Sequence, residues 1–160
     1  MKVTIKNKFF SLGGSSSVKN EYGEDVFLVR GKFLSPTRVK WVCGNDKTKL
    51  YKVRNKFFNF FSKNAYIYEG NLKVAHVKHP AFSIKKFIVK GYKDEIIIDG
   101  DFFSLQSTIM RNGKPVGTIT REITLVNDTF TLEADEEDMP FMIALVIAID
   151  NIVDEKTNSR

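Results

Sequence analysis

The side chains best placed to do chemistry are cations two residues apart. In the segment LYKVRNKFF, Lys52, Arg54 and Lys56 would share one face of a strand, opposite Tyr51, Val53 and Phe57. In RVKWV, Arg38 and Lys40 would share a face opposite Val39 and Trp41, and Lys85, Lys86 and Lys90 form a third group. Aligned on neighbouring strands, such groups grip phosphate, Arg through a planar fork and Lys as a point charge. The expected anion-binding residues are therefore Arg38, Lys40, Lys52, Arg54, Lys56, Lys85 and Lys86. The plainer alternative is a wet strand face on which lysines discourage edge pairing and aggregation.

Other reactive residues offer less. His76 and His79 are three apart, so in a strand they face opposite sides and cannot share a metal without a bend. Cys43 is the single cysteine, which rules out an intrachain disulfide and reads as a small packed hydrophobe. Gly13 and Gly14, followed by serines, could form an anion nest, although a turn is the simpler reading. The acids Asp135 to Asp138 could hold a hard cation, but helix capping explains them without one. No metalloprotease, nucleophile-elbow or P-loop motif is present. No catalytic residue, metal or cofactor is expected, and the chain reads as a non-enzyme.

The charge balance narrows the partners. The net charge of +6 divides unevenly: residues 1–134 hold 23 basic and 12 acidic residues, while residues 135–160 hold 2 and 7. A basic body attracts anionic lipid headgroups or phosphorylated ligands. An adaptor that binds a protein partner is the alternative. Nucleic acid is the least favoured partner, because the aromatics read as alternating inward, away from the basic residues. The N-terminal segment lacks the apolar core of a signal peptide, and the apolar run near the C-terminus is shorter than the roughly 20 residues of a membrane span. A cytoplasmic protein, peripheral at the membrane, is expected.

The cations need elements to hold them. Gly and Asn/Asp punctuate the chain at Tyr22–Asp25, Gly44–Asp46, Gly70-Asn71 and Asn112-Gly113, giving about a dozen short strands. The clearest hairpin spans Phe103 to Ile123, with Asn112-Gly113 as a type I′ turn. In it Arg121 falls on the face of Ile119 and Ile123, which predicts either a bulge that shifts the register, the preferred reading, or a buried, partnered Arg. Thr129 to Glu133 alternates cleanly, with Phe130 and Leu132 inward.

Eleven residues, Met139 to Ile149, carry no polar side chain. The preceding acids and the early Pro140 are helix-start signals, and a helix apolar all round must be buried all round. Only strands remain to surround it. The expected fold is mainly β (α+β): a closed antiparallel barrel of about twelve strands around a buried C-terminal hydrophobic helix, wider than an eight-stranded barrel that its own side chains fill. A single domain over residues 1–155 is expected, with a disordered tail at 156–160.

The segments NKFFSLGGS (Asn7–Ser15), VFLVRGKFLS (Val26–Ser35), IDGDFF (Ile98–Phe103) and ALVIAIDNI (Ala144–Ile152) resemble the bacterial branch of the LURP-one-related family. That family is related to the tubby C-terminal domain and the phospholipid scramblases. The resemblance implies a twelve-stranded barrel around a C-terminal hydrophobic helix, which the residue pattern reaches independently. Through the tubby relatives it also implies phosphoinositide binding by basic wall residues, though no ligand position transfers residue by residue. The Ca²⁺-responsive scramblase activity is not implied, since this chain lacks a cysteine-rich segment.

Overall fold

The computed structural model describes residues 1–6, 14–32, 34–57, 63–80, 86–100, 106–122 and 129–157. Within them lie twelve strands: β1 (Lys2–Lys6), β2 (Ser15–Asn20), β3 (Asp25–Gly31), β4 (Lys40–Gly44), β5 (Lys49–Asn55), β6 (Asn64–Glu69), β7 (Leu72–Lys78), β8 (Lys86–Lys90), β9 (Ile96–Asp99), β10 (Gln106–Arg111), β11 (Lys114–Glu122) and β12 (Thr129–Ala134). A helix, α1 (Met139–Thr157), follows. Each strand pairs antiparallel with its neighbours in sequence, and β1 closes on β12, so the barrel has no open edge.

Strand alternation sends one parity inward. Val3 and Ile5, Ala75 and Val77, Phe87 and Val89, Ile96 and Ile98, and Phe130 and Leu132 are all buried. They meet α1, in which no residue from Phe141 to Val153 is more than 4% exposed. Each large apolar side chain so buried contributes roughly 1.5–3 kcal/mol before entropy. The helix lies nearest β5 and β6.

Four hairpins, β2–β3, β4–β5, β6–β7 and β10–β11, carry a register shift beside the turn. The extra residue is aliphatic each time: Val26, Leu50, Val74 and Val116. All four are half-buried and sit at the end of the barrel where α1 enters. A bulge adds local twist, which a closing sheet needs at its rim. Asn112 and Gly113 both have positive φ (49° and 75°), as a type I′ turn requires. Gly117 permits close strand approach, since a Cβ there would lie 2.6 Å from the Glu133 carbonyl oxygen.

The bulge between Ile109 and Met110 does not rescue Arg121. It lies toward the turn, and Ile119 opposite Leu132 is followed in register by Arg121 opposite Phe130. Arg121 therefore keeps the inward parity and is half-buried, its guanidinium carbon 5.6 Å from the Phe130 ring centroid. Phe103 to Leu105 and Ile123 lie outside the described residues.

Both ends of α1 are tied to the barrel by polar groups. Asp138 is the N-cap, its carbonyl accepting from the Met142 N–H. Its carboxylate turns to the strands, 2.8 Å from Arg111 Nη2, 3.1 Å from Lys93 Nζ and 3.3 Å from Tyr92 Oη. The acids expected to cap the helix thus act at this residue chiefly by ion pairing. At the far end Asp150 and Asn151 are buried: Asp150 lies 3.8 Å from Lys40 Nζ, and Asn151 Nδ2 donates to the Arg38 carbonyl (3.0 Å). Asn55 Nδ2 donates to the Asn151 carbonyl (3.2 Å).

Candidate functional site

The outer faces of β3 to β8 assemble what no single strand contains. Antiparallel pairing places Arg30 opposite Trp41, Trp41 opposite Lys52, Lys52 opposite Tyr68, and Tyr68 opposite Lys73. A second row runs Arg54, Tyr66, His76, Lys90. The first row alternates cation and ring across five strands. The second brackets two rings between cations.

The two kinds of side chain touch. Lys52 Nζ lies 4.7 Å from the Tyr68 centroid and the Arg54 guanidinium carbon 5.3 Å from the same ring. Lys73 Nζ lies 5.0 Å from Tyr66, and Lys49 Nζ 4.8 Å from Trp41. Arg54 also donates to Tyr68 Oη through Nε (3.2 Å) and Nη2 (2.9 Å). Tyr66 and Tyr68 meet edge to face at 6.5 Å, and Tyr66 packs on His76 at 4.7 Å. Among the described residues, none of Lys49, Lys52, Arg54, Lys73 and Lys90 is paired with a carboxylate. The charges of Lys49, Lys52, Arg54 and Lys73 are held by ring faces, an interaction of about 0.5–1 kcal/mol at exposed sites, and remain available to an anion.

His76 is shifted first by burial and then by its lysine neighbours. Burial, then Lys78, Lys73, Lys56 and Lys90, push its imidazole down to a pKa of about 4. It stays neutral, with Nε2 2.9 Å from Asn64 Oδ1. His79, past the end of β7, is buried edge-on against Phe87 at 4.8 Å. The two histidines part, as their spacing requires. Cys43 is fully buried, and burial raises its thiol pKa.

The opposite side of the barrel is self-compensating. One row there runs Lys2, Glu133, Thr118, Thr108, Asp99, Lys86, and another Thr4, Thr131, Thr120, Gln106. Lys2 pairs with Glu133 at 3.0 Å and Lys86 with Asp99 at 3.8 Å. A shallow hollow of about 240 Å³ lies beside that second pair, lined by Glu95, Ile97, Met110 and Asn112 among others. Its mixed charges give it no preference for anions.

The residues expected to bind anions therefore separate. Lys52 and Arg54 stand together on the wall, and Lys56 is exposed just past the end of β5. Lys40 is not on the wall: it shares the inward parity of Val42, is 3% exposed and faces Asp150. Arg38 lies in the β3–β4 connection at φ 49°, half-buried, where its carbonyl receives Asn151. Lys86 shares the outer face of β8 with Lys90 but stands at the strand's other end, paired with Asp99. Lys85 and Gly13 lie outside the described residues. Arg30, Lys49 and Lys73 join the wall although strand-by-strand reading overlooked them, and Lys90 joins it from the third group. The expected inward turn of the aromatics fails at Trp41, Tyr66 and Tyr68, which share the outer face with the cations, and at Phe57, which is 64% exposed. Among the described residues no three His, Cys, Asp or Glu side chains gather as metal ligands, and no helix is long and apolar enough to cross a membrane.

Comparison with known proteins adds kinship. The family model described as LURP-one-related matches residues 1–150. An X-ray structure of a protein from Arabidopsis thaliana is similar in fold, with a TM-score of 0.66 at 13% identity, over 94% of this chain and 91% of that one. No curated protein matches the chain.

Proposed function

The chain belongs to the LURP-one-related family, and from that premise we propose that it is a non-catalytic binding module whose β3–β8 wall docks phosphate-bearing partners, anionic lipid headgroups among them. The observation that carries this reading is the pair of register rows: cations with rings, rather than carboxylates, as their neighbours. The contrast with the other side, where Lys2 and Lys86 face Glu133 and Asp99, makes the barrel one-sided in charge. Close to an anionic surface each nearby Lys or Arg is worth about 1 kcal/mol, so half-buried Arg30 and Lys52 with exposed Arg54, Lys73 and Lys90 suffice together for reversible docking. The reading places the protein in the cytoplasm, peripheral at the membrane when bound.

Vesicle flotation at physiological salt tests it, with soluble inositol hexakisphosphate as competitor. The protein should float with phosphatidylserine vesicles and not with phosphatidylcholine ones, and the competitor should release it. Lys52→Glu combined with Lys73→Glu should abolish flotation, while Lys2→Glu combined with Lys86→Glu should not. Equal recovery with both lipids, or indifference to the wall substitutions, defeats the proposal.

A further inference from the structure

The cations alone would satisfy a lipid headgroup; the rings that hold them offer a stacking surface in addition. We infer that the wall is a platform for single-stranded nucleic acid, whose bases stack on Tyr66, Tyr68 and Trp41 while its phosphates meet Lys52, Arg54, Lys73 and Lys90. This rests on the anion-docking reading of the same wall and names the partner. The ring faces are open to approach from outside, because lysine heads already sit over them at 4.7 to 5.0 Å. Those heads end long flexible stems and can move aside. Base stacking on an aromatic ring outweighs the exposed cation–π contact it displaces, and the displaced ammonium is left beside the incoming phosphate.

The spacing selects the form of the strand. The Tyr66 and Tyr68 ring planes meet at 73° on one β-strand, with centroids 6.5 Å apart, whereas successive bases of a helical strand lie parallel at about 3.4 Å. Bases seated on both rings must be unstacked from one another. A duplex hides its base faces and gains only the charge term. A strand running along β6 has Lys52 and Arg54 on one flank and, from β7 and β8, Lys73 and Lys90 on the other. A membrane would engage the same cations without requiring ring faces at base-stacking positions.

Trp41, the only tryptophan, sits in the first row beside Lys52 and makes an internal probe. The full chain is titrated with a uridine oligomer and a thymidine oligomer of roughly ten nucleotides, with a hairpin duplex of equal charge, and with phosphatidylserine vesicles. Both single strands should quench Trp41 fluorescence saturably, with similar affinity and more tightly than the duplex. Tyr68→Leu, which keeps an apolar cover on β6, should weaken single-strand binding about tenfold and leave the salt dependence unchanged. Lys52→Ala and Lys73→Ala should each reduce the slope of log K against log salt by about 0.7. Thermal melts confirm that each variant is folded, and the unmodified chain tests the form preference without any variant. Equal binding of duplex and single strand, or binding of vesicles but not oligomers, overturns this inference and leaves anion docking standing. Failure to bind any of these polyanions overturns both.

Discussion

Replacing Asp138 with Asn removes a charge on which the helix entrance depends. The Asp138 side chain is 9% exposed and 2.8 Å from Arg111, whose own side chain is 19% exposed. A hydrogen-bonded or paired charge is worth about 1.5–3 kcal/mol, and removing one partner of a buried pair costs about 3–5 kcal/mol. Because Arg111 keeps some access to solvent, the lower overlap of these ranges applies, about 3 kcal/mol. Lys93 is half-exposed and adds little, since water screens it. For a chain of this size that loss lowers Tm by about 6–12 °C. Urea and thermal unfolding at neutral pH measure it, with Glu137→Gln as the control. Glu137 reaches the same Lys93 at 3.1 Å but is 86% exposed, so its loss should be nearly silent.

Acid supplies a second check. Burial pushes the Asp138 pKa up, but Arg111 and Lys93 together outweigh it and hold the carboxyl below its ordinary value. A depressed carboxyl pKa contributes stability that is present above the unfolded value, about 3.9, and is lost as pH falls through the folded value. The stability gap between the wild type and Asp138→Asn should therefore close below about pH 3.9. If Asp138→Asn costs no more than Glu137→Gln, or if acid leaves the gap unchanged, Asp138 does not anchor the helix electrostatically.

Two more outcomes are open to measurement. The His76 imidazole should titrate by NMR near pH 4. Its folded pKa lies below the unfolded value of about 6.5, so its contribution to stability should rise between the two and level off above; a midpoint at the unfolded value would refute the burial, and the added lysine field, assigned to it. Lys40→Met and Asp150→Leu should each cost about 3–5 kcal/mol in urea unfolding, and the double variant clearly less than their sum; strict additivity would show that the 3.8 Å pair is not coupled.

Much of the architecture is local information, and the sequence carries it. A run with no polar side chain from Met139 to Ile149, flanked by acids and Pro140, must form a helix with no wet side. Turn residues at regular intervals then require enough strands to enclose it, and Asn112-Gly113 names its own turn type. The wall is another matter. Period-two alternation says that Lys40 shares a face with Val42, and Trp41 with Cys43, but not which face is inside. Asp150, from the far end of the chain, makes the Lys40 side internal.

The alternation of Arg30, Trp41, Lys52, Tyr68 and Lys73 runs across strands rather than along any of them. Its registry depends on bulges at Leu50 and Val74, and such shifts follow from pairing and closure, which a linear pattern does not encode. The residue types and their two faces were determined by the sequence alone. Their meeting as one surface was decided by the tertiary fold, because register couples residues that are distant in the chain.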